Sequence, residues 1–145
     1  MFFFNFYIYI VRLLRIANMS KKIMFHLEFP IHASAHMLYQ YFSETSCLDE
    51  WFADEVNSKG DVYTFTWDTV EEKATLLGYE TQEYMRFRWL EDEGEDVYFE
   101  FKIEVDDLTK DVSLVITDFA NEEDIEEQKL FWENQIEELK HTIGA

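Results

Sequence analysis

The chain has 145 residues and a formal charge of −19, from 31 acidic against 12 basic residues. That balance argues against nucleic acid and against an anionic membrane surface as partners of the domain, because both demand basic surface. Fourteen Phe, eight Tyr and four Trp exclude disorder despite 30% charged residues, and one proline with four glycines leaves no flexible linker, so the chain reads as one packed domain.

The first eighteen residues differ from the rest. Met1 to Asn18 holds no acid, and Arg12 and Arg15 are its only charges. A signal peptide carries its positive charge before the apolar run, whereas here it follows. A membrane-spanning helix needs about 20 apolar residues, and Arg12 interrupts too early. Met19-Ser20-Lys21-Lys22 resembles an ordinary start. Residues 1–18 are therefore read as an apolar extension outside the fold, arising from an upstream start codon, and 19–145 as the domain. The alternative is a short membrane-associating anchor, with Arg12, Arg15, Lys21 and Lys22 placing the domain on the cytoplasmic side. The lone Cys47 offers no disulfide framework, so a reducing compartment, the cytoplasm, is the expected location.

Ile23, Phe25, Leu27 and Phe29 alternate with Met24, His26 and Glu28, predicting a strand ended by Pro30. Ser34 caps a short helix through Phe42, with Met37, Leu38 and Tyr41 inward, and Ser46 caps a shorter one, Cys47 to Phe52. Ser58 to Asp61 is a turn, followed by a strand carrying Tyr63, Phe65 and Trp67. Lys73 to Tyr79 is a further strand, and Met85, Phe87 and Trp89 alternate with Arg86 and Arg88 in the next. Glu91 to Asp96 is a hairpin loop of mutually repelling acids around Gly94. Phe99, Phe101 and Ile103 alternate with Glu100, Lys102 and Glu104, and Val112, Leu114 and Ile116 begin the last strand.

Glu122 to Ile143 has helical spacing, with Ile125, Trp132, Ile136, Leu139 and Ile143 on one stripe that Leu130 and Phe131 widen. Asn121 is the expected N-cap, with Asp124 completing a capping box, and Gly144 the stop. The order of elements predicts an α+β fold, a curved antiparallel sheet of about six to seven strands around a long C-terminal helix, with two short helices after the first strand. The polar parities of the Arg86 and Glu100 strands face outward as a charge ladder. Phe65, Trp67, Phe87, Trp89, Phe99 and Phe101 form an aromatic wall facing the helix. Such a wall either fills the concavity or lines a cavity.

The stretches Ala33-Ser34, Leu38-Tyr39 and Leu48-Asp49-Glu50-Trp51-Phe52 resemble the START-like (SRPBCC, helix-grip) superfamily, and within it the heat-shock-protein ATPase-activator-like group. Arg86-Phe87-Arg88-Trp89, Asp118-Phe119 and the helix bearing Trp132, Leu139 and Ile143 extend the resemblance over Lys22 to Gly144. Phe131 stands where the family commonly has Gly before Trp, and the acidity is extreme. The resemblance implies a sheet gripping a C-terminal helix. It also implies a range of activities: binding sterols, lipids or plant hormones, cyclising polyketides, or assisting a chaperone. The co-chaperone's separate N-terminal domain has no counterpart here, so its activity is not carried over.

Catalytic constellations are thin. His32 and His36 flank the cap at Ser34 and should not share a helical face, so no metal site is expected. Cys47 at a helix start is read as a structural thiol, the alternative being a nucleophile of lowered pKa. Asp118 shares parity with Leu114 and Ile116. It points inward if the strand stays regular, and caps a turn if the strand ends there. No cofactor is expected, and a non-catalytic role is favoured. The reading is a module holding a small apolar ligand between helix and sheet, with Tyr41, Trp51, Tyr63, Asp118 and Trp132 joining the six wall aromatics in the site. The alternative is an interaction scaffold or chaperone cofactor with a basic protein partner.

Overall fold

A computed structural model describes residues 7–10 and 21–145. The expectation for residues 1–18 therefore falls largely outside the described residues. Within it, residues 7–10 are helical and Ile8 is 1% exposed. Tyr7 hydrogen-bonds to Glu127, which pushes its phenol up to about 12.

The chain runs through β1 (Lys22–Ile31), α1 (Ala35–Ser43), α2 (Thr45–Leu48), β2 (Glu55–Lys59), β3 (Val62–Trp67) and β4 (Val70–Glu80). It continues through β5 (Tyr84–Trp89), β6 (Phe99–Val105), β7 (Val112–Asn121) and α3 (Ile125–Ile143). The seven strands form one sheet in the order β1-β7-β6-β5-β4-β3-β2, every neighbouring pair antiparallel. Since β1 and β2 lie at opposite edges, α1 and α2 carry the chain across the end of the sheet. The α+β, helix-grip architecture read from the periodicity is the one observed.

Local chemistry explains most boundaries. Residues of β3 and β5 alternate between buried and half-buried, as period-2 strands with one core face must. Pro30 does not end β1, which continues to Ile31. An edge strand tolerates a residue without an N–H, because one side of the ladder is unpaired. The strand β2 had no apolar signature, since only Val56 of its five residues is buried. Gly60, at φ 60°, turns the chain from β2 into β3.

The helix ends are less regular than expected. Ser34 does cap α1, its Oγ accepting the Met37 N–H at 3.0 Å. The predicted cap at Ser46 is not formed: α2 starts at Thr45, ends at Leu48 and has no side-chain cap. Nor does Asn121 cap α3, which is preceded by a 3₁₀ turn over Glu122–Asp124. Asn121 is the last residue of β7, opposite Lys22, so its side chain lies on the outer sheet face and not over the helix end. Its amide is buried, and among the described residues neither polar atom has a hydrogen-bond partner. Gly144 closes α3 at φ 74°, its N–H bonding the Lys140 carbonyl.

On the outer face, Arg86 stands opposite Glu100, and its Nε donates to that carboxylate at 2.7 Å while its guanidinium lies 4.1 Å from the Tyr98 ring centroid. The 91–96 loop is not simply a repelling acidic tip, because Asp92 folds back against β1 and forms a largely buried ion pair with Lys22. The β6–β7 hairpin is ordered by Asp106, whose Oδ1 accepts the N–H groups of Thr109 and Leu108, each at 2.9 Å. These two bonds hold its carboxyl below the ordinary aspartate range. A lowered folded-state pKa contributes order above the unfolded pKa and loses it as pH falls through the folded one. Acid titration followed by NMR should therefore move the Leu108 and Thr109 amides with an apparent pKa below that of a free aspartate. A free-aspartate value there would show the turn to be unformed.

Candidate functional site

The concave face of the sheet, closed by α3 and by the α1–α2 end, is where the aromatic wall meets the helix. Phe65, Phe87, Phe99 and Phe101 are fully buried, and Trp67 and Trp89 nearly so. Their rings pack edge-to-face or stacked, with Trp89–Phe99 at 4.7 Å, Phe87–Phe99 at 5.1 Å and Phe65–Trp89 at 5.6 Å. Tyr63 joins through Phe87 at 5.1 Å, and burial raises its phenol pKa. Trp132 reaches the wall from α3, 5.8 Å from Phe101 and 6.3 Å from Phe99. Trp51 touches Phe101 at 6.0 Å and donates its indole N–H to the Tyr41 carbonyl at 2.8 Å. Tyr41 itself is half-buried, packs against the edge of the core and offers its carbonyl to Trp51.

Asp118 points inward. The strand β7 runs past it to Asn121, so the regular alternative holds and not the turn. Its carboxylate accepts Trp132 Nε1 at 2.9 Å, Gln128 Nε2 at 3.0 Å and the Phe119 N–H at 2.8 Å. With three donors converging on it, the group clamps α3 to β7. Asp118→Asn would turn an NH₂ group towards buried donors, and should cost about 1.5–3 kcal/mol in urea unfolding. An unchanged midpoint would mean that the clamp carries no net stability.

The residue that organises the interior is one that the sequence reading left outside the site. Phe52 is 1% exposed, and its ring meets Phe65 at 5.3 Å, Trp67 at 5.5 Å, Trp132 at 5.7 Å and Phe101 at 5.8 Å. Its carbonyl accepts Trp67 Nε1 at 2.8 Å and Gln135 Nε2 at 2.5 Å, tying the α2–β2 connection to both β3 and α3. Only the Trp-Phe pair ending the second short helix signalled it. Phe52 sits between the aromatic wall and α3, where a guest held between sheet and helix would have to lie.

Depressions formed by the described residues open at the surface. One of about 130 Å³ lies beside Trp51, Phe52, Gln135 and Glu138, at the end where the short helices meet α3. Another of about 130 Å³ lies outside β4 and β5, beside Leu77, Arg88 and Trp89.

The other candidates separate. His36 shares a hydrogen bond with Gln82, 3.1 Å away, while His32 lies before the cap. Among the described residues no three His, Cys, Asp or Glu side chains cluster as metal ligands. The Cys47 thiol is raised in pKa by burial and by the charges of Glu44 and Glu50, the opposite of nucleophile activation. Met37, Leu130 and Ile23, expected inward, are exposed, while Gln128 and Gln135 take places on the buried side of α3. No described helix is long and apolar enough to cross a membrane.

Comparison with known proteins agrees with this architecture. A Bacteroides fragilis protein solved by NMR is 34% identical, with 86% of this chain and 93% of that one covered at a TM-score of 0.62. The Aha1 dimer from Colwellia psychrerythraea is 12% identical, covering 81% of this chain and 93% of that one at a TM-score of 0.69. DynU16, a putative protein of the dynemicin biosynthetic locus, is 11% identical, covering 84% of this chain and 47% of that one at 0.71. The last two share the fold alone. No curated protein sequence matches. The profile of the START-like superfamily domain matches residues 19–145, the segment that builds the sheet, the aromatic concavity and the gripping helix, and the chain belongs to that superfamily.

Proposed function

We propose that this chain is a START-like interaction module whose concavity is occupied by its own side chains and whose acidic exterior recognises a basic protein partner. The observation carrying this reading is Phe52, seated between wall and helix and latched through its carbonyl. Among the described residues, aromatic rings take up the space between the wall and α3, which leaves a guest little apolar surface there to bury against. The formal charge of −19 supplies the complementary field for a cationic surface, most strongly at low salt.

A second reading, a small apolar ligand held between sheet and α3, draws on the depression beside Trp51 and Phe52, since displacing the Phe52 ring would extend it inward. Two titrations separate the readings. Under the interaction reading a fluorescent fatty acid gives no saturable change in tryptophan emission, while a Lys/Arg-rich peptide binds saturably and weakens as salt rises from 0.05 to ~0.5 M. Saturable, salt-independent fatty-acid binding would replace it with the ligand reading.

A further inference from the structure

The outer face of the sheet carries a trough that the described residues leave uncovered. Over the first part of β7 the outward residues are small, namely Ser113, Val115 and Thr117, until Phe119 packs on Tyr98 and closes that end, while the flanking strands carry longer side chains. The registers align them in rows: Pro30 and Glu104 flank Ser113, Glu28 and Lys102 flank Val115, and His26 and Glu100 flank Thr117. Small residues between large ones leave a furrow, and two adjoining depressions of about 350 and 310 Å³ follow it, with Glu28 and Glu104 lining both. Towards the β6–β7 hairpin the furrow is bordered by Asp106 and Asp111, next to Leu108, which is 93% exposed.

The charges along the furrow are unequally balanced. Glu100 is neutralised by Arg86, and Thr117 engages His26 at 2.9 Å. Glu28 and Glu104 have no ion-pair partner among the described residues, and Lys102 is the one lysine facing the furrow. The walls stand two strand spacings apart, about 9–10 Å between backbones. A helix about 10–12 Å across does not fit between them. An extended chain does, and the distance from Ser113 to Thr117, about 13 Å, spans roughly four residues of it.

We infer that this trough is the docking surface for a short extended basic segment of a partner protein, with small apolar side chains over Val115 and Lys or Arg side chains reaching Glu28 and Glu104. The inference rests on the interaction reading proposed above, and names its surface and the partner's chemistry. An extended segment places alternate side chains on opposite faces, so its apolar set rests over Val115 while its basic set starts on the far face, from which long, flexible Lys and Arg side chains bend back over the two walls to Glu28 and Glu104.

The probe is the peptide Lys-Val-Arg-Val-Lys-Val, with Lys-Gly-Arg-Gly-Lys-Gly as its equally charged counterpart, titrated into the ¹⁵N-labelled full chain. We expect the valine peptide to bind ~tenfold more tightly and to shift the amides of Glu28, Glu104, Ser113 and Val115. The double replacement Glu28→Lys with Glu104→Lys should weaken binding ~tenfold, whereas Glu133→Lys with Glu137→Lys, the same charge change on exposed positions of α3, should leave it within ~twofold of that of the unmodified chain. Val115→Trp fills the furrow without altering charge and should abolish the preference for valine. Unfolding midpoints of the variants establish that each is folded, and the mapping on the unmodified chain stands independently of them. Shifts confined to α3 or to the 91–96 loop, or undiminished binding by Val115→Trp, would overturn the trough while leaving the interaction reading intact. Absence of saturable binding by either peptide would overturn both.

Discussion

Replacing Trp132 by alanine should lower the unfolding free energy by ~3–5 kcal/mol, seen as a fall in the urea midpoint with an unchanged slope. Two losses combine. The indole is 2% exposed and packs against Phe52, Phe99, Phe101 and Phe131, so its removal forfeits a large apolar contact and leaves a void. Its N–H is also one of three donors to the buried Asp118 carboxylate, which would then be under-satisfied. Trp132→Phe separates the two, keeping most of the ring while deleting the donor, and should cost about 1–3 kcal/mol. Pairing it with Asp118→Asn in a double-mutant cycle should show non-additivity, because the two changes break the same bond. A Trp132→Ala midpoint equal to that of the parent chain would mean that another face of α3 grips the sheet.

What could be read in the sequence was whatever has a short period. Strands with one core face repeat every two residues, so Phe99, Phe101 and Ile103 identified β6 and its inner side. The α3 stripe repeats at helical spacing, so Trp132, Ile136 and Leu139 were placed correctly. What escaped depends on partners far along the chain. Gln128 and Gln135 formed no part of the apolar stripe, yet both are buried, each donating to one specific acceptor, Asp118 Oδ2 for the first and the Phe52 carbonyl for the second. Asp92 looked like part of a solvated acidic loop until Lys22, 70 residues away, supplied its counter-charge. The same limit applies to the candidate site. Alternation put Phe65, Trp67, Phe87 and Trp89 on one wall, but whether that wall encloses space turns on the Phe52 ring, delivered by a connection with no periodicity. The cap at Ser34 was legible, whereas those read at Ser46 and Asn121 do not form, because α2 begins one residue before Ser46 and Asn121 stays in register as the last residue of β7.

Phe52→Ala should destabilise the chain by ~3–5 kcal/mol and create a binding site where there was packing. The main chain at this position is held independently of the side chain, by Trp67 Nε1 and Gln135 Nε2 on its carbonyl, so the surroundings have little freedom to collapse inward. Poor collapse places the cost towards the upper end of that range, because the penalty grows with the residual void. Rings of Phe65, Trp67, Phe101 and Trp132 would line the space, and an apolar void of this kind stays dry and accepts a small aromatic guest. Benzene or indole should therefore raise the thermal midpoint of Phe52→Ala in a concentration-dependent way, since a ligand that binds only the folded state stabilises it. The same additions should leave the parent chain unmoved, because its own phenyl ring already fills the position. A rise in the parent chain's midpoint would mean that the concavity has room beside Phe52, and the apolar-ligand reading would then displace the interaction reading. A loss below ~1 kcal/mol in the variant would mean instead that the walls close over the gap, and that the latch at the Phe52 carbonyl does not hold them apart.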